Sequence, residues 1–394
     1  MEMERNIKPK VGIAFLTYNQ PDSAVDIPRC FESLRQMNYP LDRVTIYCVE
    51  NPSKNGESWP MIERDWVPKA DGIQFPFLEN IPNPNDLGFS GANNVALEKA
   101  KADGCEFVFL LNQDTDVDPN FLIEALNRME SDPSIGLVQS LLMLGQEKNL
   151  VNSIGNRYHF LGFGYSGGFR WTREQAEAWL QNDRKENPDL IVPYVTGAAV
   201  LVRVTMTNAI GLFDAPFYMY HEDVDATFNA RMHGWKGVIE PKSIVYHYYA
   251  FSKSIKKFYW MERNRMIVNL IYLKLPTLVL LAPAFFMVET ASFLMSLRSG
   301  WWREKSKAWG YVLNPTHWSW IFGRRQAMQR TRQITDREFL RWTTSEILFQ
   351  DQGPAVNANA GNNITKDVNS SIVTQIANPA LTVYWKIVYA LIRW

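Results

Sequence analysis

The chain is poor in several features, and each shortage narrows its class. Its 394 residues hold three cysteines, Cys30, Cys48 and Cys105, set far apart. That spacing excludes a disulfide framework and a zinc knuckle, and it suits a reducing compartment. Net charge is absent, with 41 Lys and Arg against 41 Asp and Glu, so no global field favours nucleic acid. The opening "MEMERNIKPK" lacks an apolar run, so no secretory signal is expected, and the sequons at Asn363 and Asn369 then carry no meaning. Charge also nearly vanishes from Leu275 to Leu297, "LPTLVLLAPAFFMVETASFLMSL", where Glu289 stands alone. As a continuous helix this run would cross a bilayer core of about 30 Å. Pro276, Pro283 and Glu289 argue against a simple span, and a kinked, re-entrant or interfacial segment fits as well. The flank "RSGWWREKSKAW" mixes Trp301, Trp302 and Trp309 with Arg298, Arg303, Lys305 and Lys307, the mixture expected at a membrane surface. The alternative is a buried core helix with a solvated basic flank. The tail "LTVYWKIVYALIRW" has the same character and is too short to span.

Hydrophobic residues make up 46% and charged residues 21%, which is globular. The length suits one large α/β domain with an appendage. "VGIAFLTYN" (11–19), "RVTIYCVEN" (43–51), "GIQFPFLEN" (72–80) and "CEFVFLLNQ" (105–113) read as strands. Between and after them, 25–37, 90–104 and "DPNFLIEALNRME" have helical spacing, with Ser90 as an N-cap and Pro119 in a first turn. This alternation predicts a parallel sheet with ligands at the carboxyl ends of its strands. Further on, 194–204 reads as a strand in which Gly197 allows close backbone approach. A helix is expected from His221 to Gly234 and a strand pair over 237–249. The expected domains are a catalytic domain over 1–265, a hydrophobic and basic helical region over 266–350, a flexible linker over 351–372 and an aromatic-rich helix over 373–394.

Polar groups cluster at the expected strand ends: Thr17 and Asn19 in "LTYN", Glu50 and Asn51 in "VENPS", Asn112, Asp114 and Asp116 in "LLNQDTDVD". Apolar strands ending in oxygen ligands suit a hard cation such as Mg²⁺ or Mn²⁺ held jointly with a diphosphate. Later, "MYHEDVDATF" packs His221, Glu222, Asp223 and Asp225 into five residues. Such acids raise one another's pKa. They mark either an acidic helix start, favoured by the helix dipole, or a catalytic base beside a bound cation.

Taken in order, "VGIAFLTYN", "VENPSKNG", "NDLGFSGANN", "LLNQDTDVDP", the run from "VTGAAVLVRV" through "MYHEDVDATFNARMHGW", "PKSIVYHYY" and "RNR" resemble the successive motifs of family 2 glycosyltransferases, in particular bacterial rhamnosyl- and galactofuranosyl-type cell-surface polysaccharide transferases. The resemblance implies the GT-A fold, a mixed, mainly parallel sheet flanked by helices, here with a C-terminal helical, membrane-associating extension. It implies an inverting transfer of a sugar from a nucleotide-diphosphate donor to a hydroxyl of a glycan or polyprenyl-linked acceptor. The expected cofactor is a divalent cation, Mg or Mn, and the expected location the cytoplasmic face of the membrane. Asp223 is then the general base, and Glu222 binds the acceptor or tunes Asp223 by repulsion. Thr17, Asn19, Glu50, Asn51, Asp86, Gly88, Phe89, Asn93, Asn94, Asn112, Gln113 and Arg263 are assigned to the nucleotide sugar. Asp114, Asp116 and His247 are assigned to the metal. Two departures stand out: Glu50 replaces the family's usual Asp, and Asn112 replaces the first acid of the Asp-x-Asp metal motif. They motivate the alternative of a catalytically silent nucleotide-sugar- or glycan-binding scaffold. A nucleotidyltransferase would want a glycine-rich basic loop after the first strand, and "LTYNQPDSA" has neither glycine nor base.

Overall fold

The structure, a computed structural model, describes residues 8–248, 257–348 and 373–394. The expected linker 351–372, with Asn363 and Asn369, lies outside them. In chain order the main elements are β1 (Val11–Tyr18), α1 (Ser23–Arg35), β2 (Val44–Asn51), α2 (Trp59–Asp65), β3 (Phe77–Pro82), α3 (Gly88–Ala102), β4 (Phe107–Asn112), β5 (Thr115–Val117), α4 (Phe121–Glu130), β6 (Ile135–Leu144), β7 (Val151–Ser153), β8 (Asn156–His159), β9 (Gly164–Ser166), α5 (Arg173–Asp183), β10 (Ala199–Arg203), α6 (Val204–Ile210), α7 (Glu222–Met232) and β11 (Lys236–His247). Then follow α8 (Lys257–Tyr272), α9 (Leu275–Arg298), α10 (Trp302–Leu313), α11 (Trp318–Thr331), α12 (Asp336–Leu340), β12 (Thr343–Thr344) and a C-terminal helix, Asn378–Leu391. The chain divides into two units: Met1–Asn156, Ser166–Ala230 and Trp235–Tyr249 form the first, and Arg157–Tyr165, Arg231–Gly234 and Ala250–Trp394 the second.

The first unit is built on a mixed sheet of order β3-β2-β1-β4-β10-β6-β11-β5, with β7 on β6. β1, β2, β3 and β4 run parallel, β10 runs antiparallel between β4 and β6, and β5 runs antiparallel to β11. Strand side chains alternate between faces. Ile13, Phe15, Ile46, Cys48, Phe109 and Leu111 pack with α1 and α4 on one face. Ala14, Tyr47, Val49, Val108 and Leu110 pack with α3 on the other. The small residues of α3 matter here: a Cβ on Gly12 would lie 2.8 Å from that of Ala100, so only a Gly on β1 lets the helix approach this closely.

Several elements differ from the sequence expectation. The third strand begins at Phe77, not Gly72, because Gly72 sits at φ 76° in a turn closed by its N–H to the Phe75 carbonyl. α3 begins at Gly88, so Ser90 is a buried first-turn residue rather than a cap, and its N–H donates to the Tyr218 carbonyl. Pro119 precedes α4 instead of standing in its first turn. The expected strand pair is one strand, β11, with an irregularity between Glu240 and Ile244.

In the second unit, α9 runs unbroken over 24 residues despite its prolines. Pro276 falls in the first turn, where an N–H has no helical partner, and Pro283 is exposed inside the helix. Three polar residues of α9 turn inward, Thr277, Glu289 and Ser296, while Thr290 is exposed. Glu289 joins a buried ionic group in which Arg265 pairs with Glu262 at 2.6 Å and with Glu289, while Lys305 pairs with Glu289 at 2.8 Å and with Glu262. Trp309 Nε1 donates to Glu289 at 2.9 Å. Burial would push the Glu262 carboxyl up, but Arg265 and Lys305 outweigh it and hold it down at about 2.

Candidate functional site

The site is assembled at the carboxyl ends of β1, β2 and β4, which the sheet register aligns. Thr17 stands opposite Glu50, Tyr18 opposite Asn51, and Leu16 opposite Asn112. Thr17 is buried and its hydroxyl donates to the Val49 carbonyl at 3.4 Å. Glu50 accepts from the Ser58 N–H at 3.1 Å, and burial raises its pKa. Asn19 staples the loop after β2, donating to the carbonyls of Asn55 and Glu57 while its own carbonyl accepts from Ser53 and Asn55. Gln113 clamps the end of β1: its Oε1 accepts from Tyr18 N–H and its Nε2 donates to the Tyr18 carbonyl, both at 3.1 Å.

Asn51 ties this edge to the loop before α3, donating to the Gly88 carbonyl at 3.1 Å and accepting from Asn83. Asp86 accepts from the Gly88 N–H at 2.9 Å and from the Tyr218 hydroxyl at 2.6 Å. Gly88 is required twice over, by a φ of 64° and because its Cβ would fall 2.4 Å from the Tyr218 ring. Asn93 donates to the Phe89 carbonyl, and Asn94 exchanges two hydrogen bonds with the Phe213 backbone. These two amides hold the framework around the α3 N-terminus.

Asp223 opens α7 beside Glu222. Its Oδ1 accepts from its neighbour's N–H, Val224, at 2.8 Å, and its Oδ2 from Gly197 at 3.4 Å. Burial raises its pKa to about 6, against the opposing pull of those N–H donors. Glu222 is more deeply buried, and burial, then the charges of Asp223 and Asp225, push it well above the usual carboxylate range. Gly197 does allow close approach: a Cβ there would lie 2.9 Å from the Phe89 ring and 3.9 Å from Asp223 Cβ. One residue on, the Ala198 carbonyl accepts from the Asn112 N–H at 3.0 Å. The α3 start, the 197 loop, the α7 start and the end of β4 therefore converge. The segment leading into α7 is strained, with Tyr218, Tyr220 and His221 all near φ 64°.

Asp114 Oδ1 lies 3.3 Å from His247 Nε2. The other ring nitrogen of His247 meets Asn152 Oδ1 at 3.2 Å, so a proton on Nδ1 orients the ring and aims Nε2 at Asp114. Asp116 is engaged elsewhere, with Lys148 Nζ at 3.1 Å and the Tyr248 hydroxyl at 3.0 Å. Among the described residues, no three His, Cys, Asp or Glu side chains converge as a ready metal cage. Arg263 belongs to the second unit, where it donates to Asn264 and lies 4.3 Å over the Trp260 ring and 4.6 Å over that of Tyr311. Sequence reasoning missed Tyr218 and Asn152. Tyr218 stands in the aromatic run "APFYMY", where nothing local marks it as a polar partner, and nothing near Asn152 signals that it meets a histidine 95 residues away.

A family model described as glycosyltransferase like family 2 matches residues 9–269. An N-acetylglucosaminyl-diphospho-decaprenol L-rhamnosyltransferase of Mycobacterium tuberculosis is 25% identical over 202 residues, 48% of this chain and 64% of that protein. The chain thus spans somewhat under two thirds of that relative's length. A glucomannan 4-beta-mannosyltransferase 1 of Cyamopsis tetragonoloba is 26% identical over 179 residues, 40% of this chain and 33% of that protein. Among solved structures, GalNAc-T7 with UDP, GalNAc and Mn²⁺ superposes with a TM-score of 0.52 at 14% identity, over 69% of this chain and 49% of that one.

Proposed function

The chain belongs to glycosyltransferase family 2 and has the GT-A fold, and from that premise we propose that it is an inverting, metal-dependent hexosyl- or deoxyhexosyltransferase. It moves a sugar from a nucleotide-diphosphate donor to a hydroxyl of a lipid-linked glycan in cell-surface polysaccharide synthesis, at the cytoplasmic face of a membrane. The observation that carries the reading is Asp223, a carboxylate fixed by the Gly197 and Val224 N–H groups and raised to about 6. That is the range in which a general base takes a proton efficiently near neutrality. Asp223 accepts the acceptor hydroxyl's proton as that oxygen attacks the anomeric carbon, and attack from the face opposite the leaving diphosphate inverts the centre. The rhamnosyl relative supports rhamnose as the donor sugar and a polyprenyl-linked acceptor.

Asp114 and His247 fit a divalent cation: one carboxylate and one imidazole aimed at each other, with Asn152 holding the imidazole from behind. When bound, the cation offsets the charge on the departing diphosphate as a Lewis acid. Asp116, paired with Lys148, is the weaker candidate ligand. Glu50, Asn51 and the Asp86–Phe89 loop line the nucleotide, with the α3 N-terminus favouring its phosphates.

The absence of a three-ligand cluster among the described residues favours one second reading, a silent scaffold that binds nucleotide sugars without turnover. The test is donor turnover by the full chain across nucleotide sugars, with Mn²⁺, Mg²⁺ or EDTA, beside Asp223→Asn and Asp114→Ala. Turnover of one donor, lost with EDTA and in both variants, supports the transferase. Saturable binding without turnover, even with lipid-linked acceptors supplied, sinks it in favour of the scaffold.

A further inference from the structure

The second unit is charged very unlike the chain as a whole. Residues 257–348 and 373–394 carry sixteen Lys and Arg against six Asp and Glu, in a chain of zero formal net charge. The same unit exposes its apolar residues in order. On α9, Val279 is 63% exposed, and Phe286 and Leu294 each 61%, with Leu275, Met287 and Leu297 along the same stripe. No charged residue interrupts the stripe before Arg298. α9 is long and apolar enough to cross a bilayer by length and composition. A spanning helix, however, would have to take Glu289 from Arg265 and Lys305 and Thr277 from Asp336 and Trp394. Those partners hold its polar side in the protein. Beside it, the C-terminal helix exposes Val383, Ile387 and Leu391, and its Tyr384 hydroxyl donates to the Leu280 carbonyl of α9.

We propose that the exposed stripes of α9 and the C-terminal helix lie in the plane of an anionic lipid bilayer, half-immersed and not spanning it. An apolar strip backed by a protein-bound polar side is the arrangement of an interfacial helix. The occupant is lipid because the surrounding charge is one-sided. Arg298, Arg303, Arg330, Lys386 and Arg393 are exposed, and Trp302 and Trp318 are exposed on α10 and α11, which is the chemistry of a headgroup layer. This deepens the reading of a lipid-linked acceptor and places the chain on one leaflet.

The experiment is flotation of the full chain with vesicles of neutral phosphatidylcholine, or of phosphatidylcholine with about one third phosphatidylglycerol, at low and high salt. Flotation is expected with the anionic vesicles, with the bound fraction falling at least tenfold in Phe286→Glu/Leu294→Glu. The same variant is expected to keep its thermal midpoint and its transfer to a short water-soluble acceptor. Cysteines placed by Lys274→Cys and Arg298→Cys, at the two ends of α9, are expected to react with a membrane-impermeant maleimide from the outside of intact vesicles, both from the same side. Labelling of one end only after permeabilisation would show a span and overturn the proposal. So would flotation indifferent to the Glu substitutions, or a stable dimer broken by them with no lipid binding. Absence of any sugar transfer with flotation intact would instead count against the reaction and leave the bilayer surface standing.

Discussion

Asp223 and Glu222 are adjacent acids with different environments, and the difference predicts their order of titration. Burial lifts Asp223 to about 6 and pushes Glu222, the more deeply buried, well above the usual carboxylate range, so Asp223 is expected to ionise first. With Asp223 as the proposed base, the rate of transfer is expected to rise through about pH 6, since a base works only when ionised. Glu222→Gln mimics a carboxyl already neutral, so that limb should stay in place; a limb moved by a unit or more would show that Glu222 is charged. Asp223→Asn is expected to lower kcat by about 10²- to 10⁴-fold with little change in donor binding. It should also stabilise the fold. A carboxyl whose folded pKa exceeds its unfolded value of 3.8 costs stability as pH rises from about 4 through about 6, so above pH 6 the Asn variant gains on the order of 1–3 kcal/mol, read as a higher Tm. Asn152→Ala leaves the two proposed metal ligands, Asp114 and His247, in place but releases the His247 ring. Metal affinity is expected to fall about 10- to 100-fold, measured by titrating Mn²⁺ against turnover.

At the scale of elements, the loop before α3 and the segment before α7 are one device, since Tyr218 lies over Gly88 and its hydroxyl holds Asp86. Gly88→Ala meets both a positive φ and a 2.4 Å contact, so a loss of about 1–3 kcal/mol is expected, with a raised KM for the donor. α9 depends on its ionic group instead. Glu289→Ala leaves two buried cations, Arg265 and Lys305, to share the single carboxylate of Glu262 and is expected to cost about 3–5 kcal/mol in chemical denaturation. β1, β2, β4, α1 and α4 were legible in the sequence because each is a local apolar pattern bounded by turn residues. α5 was overlooked although Thr172 and Gln175 form a capping box that the sequence spells out. The insertion of β10 between β4 and β6 was not legible, because nothing local records which distant strand will pair. At the candidate site, the position of Thr17, Glu50, Asn51 and Asn112 at strand ends was legible, because each closes an apolar run. The site's hydrogen bonds were not: the amides of Asn19, Asn93 and Asn94 go to backbone groups from loops far away in sequence or one turn along a helix.

For the whole molecule, zero net charge conceals an excess of ten positive charges over residues 257–348 and 373–394. Composition alone therefore hid the very feature that bears on location, and the apolar run at 275–297 was legible as a segment but not as a one-sided stripe. Its inward polar residues depend on partners made later. Glu289 waits for Lys305 and Trp309, and Thr277 waits for Asp336 and for Trp394, whose indole donates to it at 2.8 Å. At roughly 5–20 residues per second of synthesis, α9 stands complete about 5–20 s before the last of these residues exists. During that interval the emerging chain offers an apolar stripe while Thr277, on the polar side of the same helix, still lacks Trp394. Lipid present during translation is thus expected to give more folded protein than lipid added afterwards, a difference of timing alone that pulse-labelled synthesis with and without vesicles can read.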